Sequence, residues 1–211
     1  MATTQQLYDN AQFLINKYDG SFMDNQEFLQ AYNMAALDYY NFLTDKAYAQ
    51  MSQMGIYNTA TNSDYYITEA LSPFVIDELS LASPYARPAN FGRMIYLRVA
   101  YNSASQGNSV FAQRVDLTEL DSKLNSSIDT PIVEEPIFIE TTNNFKIYPT
   151  GQTGVWLSYY KRPAVYTTVD STAVEWNDTE VNQVLFRTIG YLGINLKDPS
   201  IIQFGNIKKN D

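Results

Sequence analysis

Carboxylates are the only reactive groups that this sequence sets close together. Glu134 and Glu135 are adjacent, and Asp116, Glu119 and Asp121 fall within one short stretch. A glycosidase needs two carboxyl groups facing each other across a cleft, one to protonate the leaving oxygen and one to attack or to activate water. Neighbouring acids in an acidic chain more simply form a solvated turn, and that is the expectation here. The same groups also lack the Asp-x-Asp-x-Asp-Gly spacing of a calcium loop.

Histidine and cysteine are both absent. Their absence removes the commonest general base, the thiolate nucleophile, disulfides and the commonest soft metal ligands. Ser–Lys pairing is then the remaining nucleophile option. No Gly-x-Gly-x-x-Gly, Walker loop or Gly-x-Ser-x-Gly interrupts the chain. The expectation is a protein that is not an enzyme and that holds no cofactor and no metal.

Charge narrows the partners. Fourteen Lys and Arg against 23 Asp and Glu give a net charge of −9 over 211 residues. Sequence-independent nucleic-acid binding neutralises phosphates with cations, and this balance repels them instead. Lys161-Arg162 is the densest basic pair outside the tail, suited to a phosphate or a partner's carboxylates, or simply to solvent. Seventeen tyrosines join apolar rings to polar tips, a composition that suits surfaces wet before assembly and buried after it. The N-terminus has no basic region followed by an apolar run, and no stretch reaches the length of a membrane span. A soluble chain made in the cytoplasm is expected.

The elements follow from period and punctuation. Thr3 and Gln6 form a capping box ahead of Leu7, Ala11, Leu14, Ile15 and Tyr18, which recur at helical spacing up to Asp19-Gly20. Asp24 and Glu27 repeat the signal before a long stripe from Phe28 to Met51, closed by Gly55. A short link makes the two an antiparallel pair within residues 1–57. Tyr40 and Tyr48 lie off the main stripe, either broadening the core face or meeting neighbouring subunits. Residues 65–170 read as a β-rich domain. Phe74–Ile76 and Leu79–Leu81 are short strands, Met94–Tyr101 and Val110–Val115 are longer ones, and Asp116–Leu124 is a short helix. Val165–Val169 is a further strand or extended segment.

The organising stretch is Pro131–Pro163. Phe145 and Ile147 share one face, as do Val155, Leu157 and Tyr159, so the pattern predicts a hairpin turning at Pro149–Gly154. Asn177 or Asp178 caps a last helix over 177–193, with Gly193 as its stop. The helical pair plus this helix make a bundle. Residues 194–211 lack period and cap, yet carry Ile201, Ile202, Phe204 and Ile207, apolar anchors that a solvated tail does not need. The fold expected is therefore α+β, with a helical bundle, a central antiparallel β-rich domain and an extended C-terminal tail.

Four segments in order carry a likeness. They are Arg87-Pro88-Ala89-Asn90-Phe91-Gly92-Arg93, then Arg114 to Ser127, then Pro131 and Pro136 ahead of Phe145-Lys146-Ile147-Tyr148-Pro149, then Leu157 to Pro163. The series resembles the head–tail connector (portal adaptor, or ring) proteins of tailed bacteriophages, in particular the crAss-like short-tailed type, over about residues 66 to 195. That resemblance implies a virion structural protein at the head–tail junction, without catalytic residues. It implies a homo-oligomeric ring, commonly of twelve copies, docked under the portal protein and touching other tail or ring proteins, with no membrane contact. DNA would pass through its channel without specific binding. Ile201, Ile202, Phe204 and Ile207 would then clip the tail to the portal. Tyr40, Tyr48, Tyr159, Tyr160, Lys161 and Arg162 are the candidate subunit-interface residues. The alternative expectation is a virion carbohydrate- or host-binding module, with Tyr159, Tyr160 and Tyr166 stacking on sugars.

Overall fold

The computed structural model describes residues 1–18, 23–53, 69–100, 109–126 and 129–195. The chain is α+β and divides into two compact units. The helical unit runs Met1–Phe74 and resumes at Arg162, and the β unit is the continuous stretch Val75–Lys161.

In the helical unit, α1 (Thr4–Tyr18) begins at the expected capping box. Thr3 N–H donates to Gln6 Oε1 at 3.0 Å, and Gln6 N–H donates back to Thr3 Oγ1 at 3.2 Å. Before α2 (Asn25–Gln53), Asp24 N–H reaches Glu27 Oε2 at 3.4 Å, a longer version of the same device. The expected stops at Asp19-Gly20 and Gly55 lie outside the described residues. A final helix of this unit, labelled α4 (Val181–Asn195), is capped by Asn177, whose Oδ1 accepts Glu180 N–H at 2.9 Å. Gly193 does not end it. That residue is buried inside the helix, where a missing side chain costs about 1 kcal/mol of helix propensity without breaking the ladder.

The β unit begins at Val75, and its boundaries are narrower than 65–170. Residues 162–176 belong with the helices instead. Asn33 clamps Tyr166 there, donating Nδ2–H to its carbonyl at 2.8 Å and accepting its N–H at 3.0 Å. Thr4 N–H donates to Thr172 O, Gln5 N–H to Asp170 O and Val174 N–H to Ala2 O. Val165–Val169 is accordingly no strand. It satisfies its backbone through a helix side chain and the chain start, a long-range pairing with no local signature.

Two sheets form the β unit. One has the order β1 (Val75–Ser80), β7 (Val155–Lys161), β2 (Phe91–Ala100), β3 (Ser109–Phe111), all antiparallel. The other has the order β4 (Gln113–Arg114), β5 (Ile137–Glu140), β6 (Phe145–Tyr148), with β4 and β5 parallel over two residues. Between β4 and β5 lies α3 (Leu117–Leu124), which starts after Asp116 as expected. The expected hairpin of β6 with β7 does not form, because the two strands belong to different sheets. Their apolar faces meet across the core instead. Phe145 and Ile147 pack in one cluster with Val155, Leu157, Tyr159, Phe91 and Leu97. The linker 149–154 carries the chain from one sheet to the other, with Gly151 at φ +85°. At its end, a Cβ on Gly154 would lie 2.7 Å from the Trp156 ring, so only glycine lets the ring lie there. Val110–Val115 switches sheets in the same way. Ala112 N–H donates to Leu97 O, and the next amide, Gln113 N–H, donates to Pro136 O.

Candidate interaction surfaces

The outer face of the four-stranded sheet is built on a bulge. Between Ile76 and Leu79 the β1–β7 register shifts, and Glu78 takes φ 51°. A bulge sets two residues against one, so the consecutive carboxylates Asp77 and Glu78 both reach partners on this face. Ser158 Oγ accepts Glu78 N–H at 2.9 Å and donates to Asp77 Oδ1 at 2.5 Å. Tyr96 O–H donates to the same Asp77 oxygen at 2.7 Å, and Arg98 pairs with Glu78 at 2.6 Å. The Ser158 and Tyr96 hydroxyls stabilise the carboxylate and hold Asp77 below the usual aspartate pKa. These acids are engaged in a network, which makes them supports rather than free acid–base groups.

Ser158 and Lys161 have a Ser-x-x-Lys spacing. On a helix that spacing stacks nucleophile over base, but on β7 positions three apart point to opposite faces. Ser158 is moreover buried and committed to Asp77. Glu134, Glu135, Asp116, Glu119 and Asp121 are all exposed, and among the described residues no group of three or more acids is placed to hold a metal ion.

In the helical unit, α2 packs along α4, and a polar seam runs between them. Glu180, 1% exposed, accepts the Tyr39 hydroxyl. Arg187, 4% exposed, lies over the Tyr39 and Phe42 rings at 4.8 and 5.3 Å and donates to Asp38 at 3.0 Å. On the exposed arc of α2, Met34, Leu37, Phe42 and Tyr48 remain open to solvent. They span about 21 Å of helix at 1.5 Å per residue. Met34 and Leu37 are the most exposed of the four, while the Phe42 ring also carries Lys46 at 4.2 Å.

In the β unit, a groove of about 400 Å³ runs beside β6. Ser83, Pro84 and Tyr85 form one wall, and Asn144 to Tyr148 form the other. Thr150, Gly151 and Gln152 close one end, where the Tyr85 hydroxyl donates to Gln152 O at 2.5 Å.

The expected interface residues separate. Tyr40, Tyr159 and Tyr160 are 2%, 3% and 7% exposed, so their rings fill the chain's own interior and are not a subunit surface. Tyr40 packs edge-on to Phe74, and Tyr159 stacks on Phe91 and donates to Asn90. Apolar pattern could not separate core rings from interface rings here, because both need the same residue type. With Tyr166 half-buried in the Asn33 clamp, the three tyrosines expected to stack on sugars offer no shared open face. Tyr48 and Arg162 are exposed and Lys161 is half-buried. Ile201, Ile202, Phe204 and Ile207 lie outside the described residues. Among the described residues, no helix is long and apolar enough to cross a membrane. Neither a protein-family model nor a curated protein matches this chain.

Proposed function

We propose that this chain is a virion structural subunit of a tailed bacteriophage. In this reading it assembles into a ring at the head–tail junction, beneath the portal, and joins portal to tail around the DNA channel. The observation that carries the reading is the open face of α2. Met34 and Leu37, exposed on successive turns beside Asp38 and Asn41, suit side-by-side packing against a neighbouring copy. The ordered resemblance of residues 87–163 to connector proteins supports it from the sequence side. The net charge of −9 supports a channel wall that releases sliding DNA.

The test is the solution mass by light scattering, alone and with a portal ring. A chain that becomes a defined ring on the portal is the expected result. Met34→Asp with Leu37→Asp, at exposed positions, is expected to keep the fold by circular dichroism and to lose the ring. A mass unchanged by portal, or a ring indifferent to that double change, overturns the reading.

A further inference from the structure

We propose that the groove beside β6 binds an extended acidic segment of another polypeptide, which adds to the three-stranded sheet as a fourth strand beyond β6. The inference does not depend on the ring assembly.

Three observations carry it. First, β6 is the edge strand of its sheet, so one side of its backbone is unclaimed by a strand. Second, five consecutive residues, Asn144 to Tyr148, line the groove. A cavity lying on a sheet face touches every second residue, whereas contact with both alternation classes means that it lies along the edge. Third, the edge is already zipped at one end and open at the other. Phe145 N–H donates to Tyr85 O at 3.0 Å, and Arg87 N–H donates to Asn143 O at 2.8 Å. Past Tyr85 the neighbouring chain turns off, with Tyr85 N–H bonded back to Ala82 O at 2.7 Å. Backbone groups two residues apart point the same way, so the Ile147 N–H and C=O follow those of Phe145 toward the open stretch. A strand entering there continues an existing ladder with a two-bond rung at Ile147.

The chemistry of the occupant follows from the walls. The Tyr85 and Tyr148 rings and Pro84 offer apolar surface, while the Asn144 Oδ1 and Gln152 Nε2 are already bonded to Thr141 and to Pro149 O. Lys146 is exposed and is the one charged residue among the lining, in a chain whose net charge is −9. A local cation without a carboxylate in the same groove selects an acidic side chain near the Ile147 rung. The volume lies within the roughly 300–1,000 Å³ range of specific binding clefts.

The test is selection of a random seven-residue peptide library against the full chain, followed by titration of the best synthetic peptide into labelled protein. Selected peptides are expected to carry an acidic residue. They should shift the Ile147 amide resonance and slow its hydrogen exchange at least tenfold. Lys146→Glu, at an exposed position, is expected to weaken binding tenfold or more, and replacing the peptide's acidic residue by lysine should restore it. If no peptide is selected, if Ile147 is untouched, or if Lys146→Glu binds equally well, the proposal fails. A glycan panel that moves the Ile147 amide where peptides do not assigns the groove to sugars and overturns it. Slowing of Ile147 exchange with protein concentration alone assigns it to a second copy, which also overturns it.

Discussion

The helical unit and the β unit both close on aromatic rings, but they recruit them from opposite kinds of chain. In the helical unit the rings come from far apart in sequence. Trp176 lies 4.6 Å from Phe74 and 5.2 Å from Tyr39, and Tyr32 meets Tyr166 at 5.8 Å. The β unit is one uninterrupted stretch, and its core rings Phe91, Phe138, Phe145 and Tyr159 all come from it. The first unit therefore depends on returning chain, residues 162–176, being stitched back onto α1 and α2. The second depends on two crossings between sheets, at Ala112 and at 149–154. Long-range stitching relies on a few specific hydrogen bonds, whereas sheet crossing relies on which face each strand shows to the core.

The largest effects test that contrast in the two cores. Trp176→Ala is expected to cost about 3–5 kcal/mol in denaturant unfolding, since the ring is 1% exposed and touches two others. Phe145→Ala is expected to cost a similar ~3–5 kcal/mol, and to act through the β unit. An effect of Phe145→Ala below that of an exposed substitution would break the picture of β6 and β7 meeting face to face. Asn33→Ala comes next. It strips both partners from the Tyr166 backbone and is expected to cost about 1–3 kcal/mol, read as a lowered melting temperature.

Asp77 gives a smaller effect with a pH signature. Its pKa is depressed in the folded state, so its stabilisation is present above the unfolded value and is lost as pH falls through the folded one. The melting-temperature gap between the protein and Asp77→Asn should thus be full at neutral pH and shrink below about pH 4, near the ordinary aspartate value. A gap that widens on acidification would refute the hydrogen-bonded assignment. The smallest effect belongs to the pairing of the N-terminal ammonium with Asp178 at 3.4 Å, where the partners are 70% and 80% exposed. Asp178→Asn should change stability by about 0–1 kcal/mol, and less in high salt.

What sequence made legible follows the same division. Capping boxes are local, since the bonding groups sit three residues apart, so Thr3/Gln6 and Asp24/Glu27 could be read directly. Alternation marks which residues share a face but not which strand lies alongside. Alternation therefore places Phe145, Ile147, Val155, Leu157 and Tyr159 on buried faces but gives the wrong pairing, and it misses that Trp156 and Tyr160 on the other face of β7 are buried too. The return of 162–176 rests on Asn33 and on backbone bonds to Ala2, Thr4 and Gln5, long-range contacts with no local pattern to mark them. The bulge at Glu78 and the groove beside β6 were equally silent, because both arise from backbone register and not from residue type. Of the expected surface residues, the buried tyrosines show the limit of composition: a ring that fills a core and a ring that awaits a partner look alike in one dimension.

The chain has two tryptophans, and the division at Lys161–Arg162 puts one in each unit. Trp156 sits on β7 beneath Gly154, and Trp176 sits against Phe74. Each unit thus carries its own fluorophore. With Trp156→Phe and Trp176→Phe as a pair, emission reports the melting of one unit at a time. Coincident curves would mean the two melt as one cooperative block, and separated curves would give each its own free energy.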